Sequence, residues 1–216
     1  SNQVGGFTVA AADAGVIIYG APGVTISGSV VIEAGAHAVT LQRLNIIGSV
    51  TVTAADNVVL YDSTITQGVV LNGGTGARIE HNILTGTVAV QLSGSITDVA
   101  VEFNHVSGAT GLRLSSTVSG RIVGNDIAAI ATGLDIQAAF TGLIGDNAIH
   151  GATTGVVYGA AAPLVGNRIY GNVTGVRSTV AGPVNGFGFV GVGAPNEISG
   201  NTTGVNLSGQ MQNQHV

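Results

Sequence analysis

An asparagine recurs at steps of 22, 21, 22 and 20 residues: Asn82, Asn104, Asn125, Asn147 and Asn167. Each sits three places after one apolar residue and two before another, as in Ile79-Asn82-Leu84 and Ile122-Asn125-Ile127. Traced backwards, the register meets Leu60, Ser63, Ile65 and then Leu41, Leu44, Ile46, each 19 residues earlier. Traced forwards, it meets Asn196 and Ile198 after a 29-residue step. A second column keeps the same period: Thr110-Gly111-Leu112, then Thr-Gly followed by Leu134, Val156, Val176 and Val205. A fixed period of about 20 residues is the signature of a stacked-repeat architecture and constrains the fold more than any local propensity.

Within a unit the apolar residues alternate (Leu112, Leu114; Leu134, Ile136), which is strand period, and no window has helical spacing. Short strands separated by Gly and Asn cannot bury a face alone. Stacking solves this, because parallel coils about 4.8 Å apart share an apolar interior. Earlier in the chain Val24-Thr25-Ile26, Val30-Val31-Ile32 and Val50-Thr51-Val52 read as strands of looser coils. Gly and Asn suit the bends, since both tolerate positive φ. The Asn column reads as a structural ladder, bonded from coil to coil. The prediction is an all-β, right-handed parallel β-helix of about nine coils, 19–22 residues each, forming one domain over residues 1–216 with core repeats over 15–208. The long step after Asn167 contains an insertion at 180–193 with Phe187 and Phe189, expected to be a lateral loop.

The Asn-x-Ile-x-Gly and Thr-Gly-Val-x-Leu units resemble the right-handed parallel β-helix repeats of pectate-lyase-like proteins. The segment Val190–Asn201 is similar to repeats of large bacterial extracellular proteins, which implies an extracellular or cell-surface location. With no amphipathic helix or charged strand to cap either end, the chain reads as a segment of a longer protein whose neighbouring repeats cover it. Ser1–Ala14 has no basic start followed by an apolar core, so it does not read as a signal peptide.

Composition excludes some classes. Charged residues are 8%, against roughly 25% in ordinary domains. All six basic residues are Arg and the formal charge is -5, so no basic stripe is available for nucleic acid. No apolar run is long enough for a membrane helix. Cysteine is absent.

Charge and aromatic character converge in one place. Side chains one position after the inward apolar residue point outward, giving the column Gln42, Tyr61, Glu80, Glu102. Arg78 and Arg121 share that face, and Arg43, Asp62 and His81 lie beside it at the turn. Adjacent coils bring Glu80 and Glu102 within about 5 Å at the backbone, the carboxyl spacing of retaining glycosidases. Glu80, Glu102, Asp62 and His81 are therefore the candidate catalytic residues, and Tyr61, Arg78, Arg121 and Gln42 the candidate ligand-binding ones. The alternative is a solvated face on which the Arg residues offset the Glu residues. A second outward column, Gln91, Arg113, Asp135, Val157, Arg177 and Asn206, is thinner.

Polysaccharide lyases of the resembled fold use Ca²⁺ held by clustered acids with a basic proton acceptor. Asp62, Glu80 and Glu102 could form a hard-cation site for Ca²⁺, although they offer few of the six to eight oxygens it takes, and no Asp-Asp pair like that of the related hydrolases occurs. The Gly73–Ala77 run lacks the Asp of glycine-rich calcium repeats and reads as a turn. His81, His105 and His150 read as separate surface groups in different columns, with no metal site or other resident cofactor expected. Asn172-Val173-Thr174 and Asn201-Thr202-Thr203 match glycosylation sequons by coincidence with the repeat. The expected function is a non-catalytic spacer, adhesion or polysaccharide-binding module. A lyase, epimerase or hydrolase acting on an acidic polysaccharide is the rival, and self-association through open ends a third reading.

Overall fold

In a computed structural model, which describes residues 2–179 and 194–207, the chain is a right-handed parallel β-helix. The twenty-four strands among the described residues all pair in parallel with a neighbouring coil, most of them on both sides. One stacked column runs Gln3, Ile26, Ile46, Ile65, Leu84, Val106, Ile127, Ile149, Ile169, Ile198, ten positions that bound nine coils. The insertion at 180–193, with Phe187 and Phe189, lies outside the described residues.

The alternation read from sequence is the burial pattern. Val30, Val50, Val69, Val90, Leu112, Leu134, Val156 and Val176 form one inward column. All eight are fully buried. A second inward column comprises Leu41, Leu60, Ile79, Val101, Ile122, Ile144 and Leu164. Each such side chain contributes about 1.5–3 kcal/mol through removal from water. The interior is therefore a stack of aliphatic layers, and specific chemistry is confined to the outside.

The asparagine ladder is continuous. Each side-chain Oδ1 accepts from both the backbone N–H and the Nδ2 of the preceding coil's Asn, at 2.9–3.1 Å along Asn82, Asn104, Asn125, Asn147 and Asn167. Asn196 continues it beyond the 29-residue step. Ser63 substitutes in an early coil, its Oγ accepting from Leu44 N–H at 3.1 Å and donating to the Tyr61 carbonyl at 2.9 Å. Among the described residues no buried side-chain N or O lacks a partner, as a well-formed interior requires.

The bend geometry corrects one expectation. The ladder asparagines do not have positive φ; the residue before each one from Asn82 to Asn167 does, as does the residue before Ser63 and Leu44, whereas Asn196 follows Pro195. That column is Arg43 (φ 54°), Asp62 (49°), His81 (57°), Phe103 (54°), Gly124 (67°), Asp146 (53°) and Gly166 (68°). The left-handed residue turns the chain outward, and the following Asn or Ser swings inward to bond. Phe103 in this region is strained for an L-residue, and the surrounding pairing must hold it there.

The Thr-Gly column has a different cause from the bends. A Cβ on Gly111, Gly133, Gly155 or Gly175 would lie 2.6–2.7 Å from the carbonyl oxygen of the next glycine in the column. Neighbouring coils approach too closely there for any side chain, so glycine is needed for space rather than for φ. Gly73, Gly74 and Gly76 all have positive φ, but Gly73 and Gly74 lie within the strand Val69–Thr75, where pairing shifts register between Asn72 and Gly74, so most of the run expected to be a turn is a bulged strand.

Candidate functional site

The outward column is assembled in register. Tyr19, Gln42, Tyr61, Glu80 and Glu102 stack on consecutive coils. Both carboxylates are engaged. Arg78 Nη1 lies 3.4 Å from Glu80 Oε1, and Arg121 Nε 2.8 Å from Glu102 Oε1. At the adjacent bend Arg43 Nε lies 3.6 Å from Asp62 Oδ2. Three Arg thus face three acids, and this surface carries no net charge.

The aromatic groups pack against one another. Tyr61 meets His81 edge-on, with centroids 5.4 Å apart and planes at 69°. His81 stacks on Phe103 at 5.4 Å and 19°. Phe103 also lies against Gly124, where an added Cβ would fall 2.6 Å from the ring. Phe103 nonetheless remains 54% exposed, so the ridge offers a ligand apolar ring surface as well as hydrogen-bonding groups. Tyr19, with Arg43 above its ring at 5.4 Å and bonded to its hydroxyl, extends the column at its N-terminal end. Tyr19 and Phe103 were both legible from the period, since 42 minus 23 and 81 plus 22 reach them, but only once the coil lengths were fixed.

His105 and His150 occupy different columns, as the spacing predicts, but share one carboxylate. His105 and His150 meet through Asp126: His105 Nδ1 lies 2.9 Å from Oδ2 and His150 Nε2 2.8 Å from Oδ1. His150 stacks on Tyr170 at 5.0 Å, Arg168 lies 5.1 Å above that ring, and Arg168 Nε is 3.3 Å from Glu197 Oε2. The signal lay in the position after each ladder Asn, which reads Ile83, His105, Asp126, Ala148, Arg168, Glu197. Partial burial of Asp126 opposes its charge, but hydrogen bonds and Coulombic attraction from His150 and His105 outweigh it and hold the carboxyl below its ordinary value. A group with a depressed folded pKa stabilises the fold above its unfolded pKa, and that contribution is lost as pH falls through the folded value. Wild type should therefore lose more stability than Asp126→Asn on acidification below the ordinary aspartate range. Urea midpoints measured across that range check it.

In the second outward column, Arg113 Nε binds Asp135 Oδ2 at 3.0 Å and Gln137 Nε2 donates to the same oxygen at 2.8 Å. A second, shorter ladder was not anticipated: Asn172 Oδ1 accepts from Ala152 N–H, and Asn172 Nδ2 donates to Asn201 Oδ1, Ile149 O and Tyr170 O. Asn201 Nδ2 donates to Ile169 O. Both sequon amides are thus held inside the wall, in accord with coincidence rather than glycan attachment.

These features define a parallel β-helix with a paired, polar outer wall. The chain belongs to the family described as "Periplasmic copper-binding protein (NosD)", whose model matches residues 1–185. Among curated proteins none matches. Among solved structures, the Dettilon tailspike protein superposes with a TM-score of 0.52 at 11% identity over 96% of this chain, which spans 61% of that one. The A-module of the Azotobacter vinelandii mannuronan C-5 epimerase AlgE6 aligns over 100% of this chain and 91% of its own at 12% identity. Its TM-score of 0.27 is too low to support an argument. At such identities the likeness concerns fold alone.

Proposed function

We propose that this chain is a non-catalytic β-helix module working outside the cytoplasm, in the periplasm or beyond, as a spacer that holds a polysaccharide along its side. The supporting observation is the in-register outer wall from Gln42 to Arg121, whose carboxylates are each engaged by a guanidinium. A wall with one equivalent position per coil suits a polymer with one sugar per step. Retaining chemistry needs one carboxylate as nucleophile and one as acid, whereas Glu80 and Glu102 are both occupied in ion pairs. Candidate catalytic residues Glu80, Glu102, Asp62 and His81 are on this reading positioning and contact groups.

The family's description names copper. Two imidazoles and a carboxylate are suitable copper donors, but His105 and His150 direct their nitrogens onto opposite oxygens of one Asp126 carboxylate rather than onto a shared point. Among the described residues no group of three or more His, Cys, Asp or Glu is arranged to hold a metal ion. The described residues do not fit a copper site, and the same holds for Ca²⁺ at Asp62, Glu80 and Glu102, each of which faces an Arg.

A panel of uronic-acid and neutral polymers, with and without Ca²⁺, separates module from enzyme. Retention of polymer on immobilised protein, with no rise in ultraviolet absorbance or reducing ends, is expected. Turnover that disappears in Glu80→Ala or Glu102→Ala would overturn the proposal.

A further inference from the structure

One corner of the helix departs from the repeat. From Gln42 to Asn45 the corner takes two residues, Arg43 and Leu44, and the coils through Val165 and Arg168 do the same. In the first coil Tyr19 aligns with Gln42 and Thr25 aligns with Asn45. Five residues, 20–24, therefore cover that corner, three more than the repeat needs. Val24 N–H donates to the Ala21 carbonyl at 3.1 Å, with Pro22 and then Gly23 (φ 75°) between them. Pro followed by a positive-φ Gly is the type II turn arrangement, so the extra segment is a stiff projection.

Between this turn and the next two coils lies an open cleft of about 400 Å³, lined by Thr25, Arg43, Asn45, Asp62 and Thr64. The backbone beside it is already paired: Arg43 N–H donates to Tyr61 O, Asp62 N–H to Glu80 O and Thr64 N–H to Leu44 O. A peptide therefore finds no free strand donors here, and recognition falls to side chains. Those are one Arg–Asp pair of zero net charge, one carboxamide and two hydroxyls. Hydroxyls and a carboxamide both donate and accept, which complements sugar hydroxyls.

We propose that this cleft binds a hexose unit of a neutral polysaccharide, with Arg43 and Asp62 bonding adjacent hydroxyls and Asn45 and Thr64 completing the set. The assignment rests on the polysaccharide-binding reading above and adds its place and ligand class. A uronate is disfavoured because the charge of Arg43 is already matched by Asp62, whose carboxylate repels another. The volume, at the low end of the roughly 300–1,000 Å³ of ligand sites, fits one or two sugar rings.

Calorimetric titration of the full chain with neutral hexose oligosaccharides and with oligouronates tests it, using wild type, the double variant Asn45→Ala/Thr64→Val and the remote control Glu197→Gln, each checked for fold by circular dichroism. The expected result is neutral-sugar binding insensitive to added salt, weakened roughly tenfold in the double variant as one or two hydrogen bonds are lost, and unchanged in the control. Neutral-sugar binding unaffected by the double variant would overturn the cleft assignment and leave the module reading intact. Salt-sensitive preference for uronates would overturn the ligand class. Absence of binding to any glycan would overturn both.

Discussion

Asn125→Leu is expected to destabilise the helix by about 3–5 kcal/mol, a large fraction of the roughly 5–15 kcal/mol available to a folded domain. The Asn125 amide donates to Val101 O, Val123 O and Asn147 Oδ1, while its own Oδ1 accepts from Asn104 N–H and Nδ2. Leucine matches the volume but removes every partner, stranding buried groups on three coils. Asn125→Ser should cost less, because Ser63 already occupies the equivalent place with one accepted and one donated side-chain bond. Urea titration followed by far-ultraviolet circular dichroism reads both. A midpoint for Asn125→Leu equal to wild type would mean that the ladder is not what fixes the corner.

The second large effect is expected at Gly133. A Cβ there would lie 2.4 Å from Ile149 Cγ2 and 2.6 Å from Gly155 O. The first contact is with a packed core side chain and the second with backbone, so neither relieves itself by rotating a surface group. Overpacking commonly costs about 1–3 kcal/mol, and Gly133→Val, which adds two more carbons, should reach or exceed the top of that range. The strain acts between coils, so parallel pairing of Thr132 with Thr154 and of Leu134 with Val156 is what should fail first. Amide hydrogen exchange should show faster exchange at those strands than at the Val30–Val50 pairing, four coils away. Exchange that accelerates equally along the whole chain would point to global rather than local loosening.

The fold was legible because its two periods are independent of each other: alternation within a strand sets which residues face inward, and the 19–22-residue step sets which of them touch. Ile79, Val101 and Ile122 could be stacked on paper for that reason. What the period does not carry is the conformation of single residues. The left-handed turn falls on His81, Phe103 and Asp146, chemically unlike residues that share only a place in the coil, so composition points to the Asn beside them instead. Side-chain pairing across coils is equally hidden, since His105, Asp126 and His150 are 21 and 24 residues apart and meet only because one strand places residues i and i+2 on one face.

The candidate site was legible in its columns and not in its electrostatics. Register brings Glu80 beside Glu102, as the spacing predicts, but whether two neighbouring acids repel each other or turn to separate Arg partners is decided by rotamers. Here Arg78, two residues before Glu80, and Arg121, on the next coil from Glu102, take them up. The cleft beside Arg43 and Asp62 depends on a three-residue excess in one corner, and the Gly20–Val24 segment reads in isolation as an ordinary turn.

Affinity electrophoresis through gels containing intact polysaccharide tests the central claim most directly. The account predicts retardation by a neutral polymer, with polymer recovered afterwards at unchanged length; unretarded migration in every gel, or recovery of shortened chains, would contradict it.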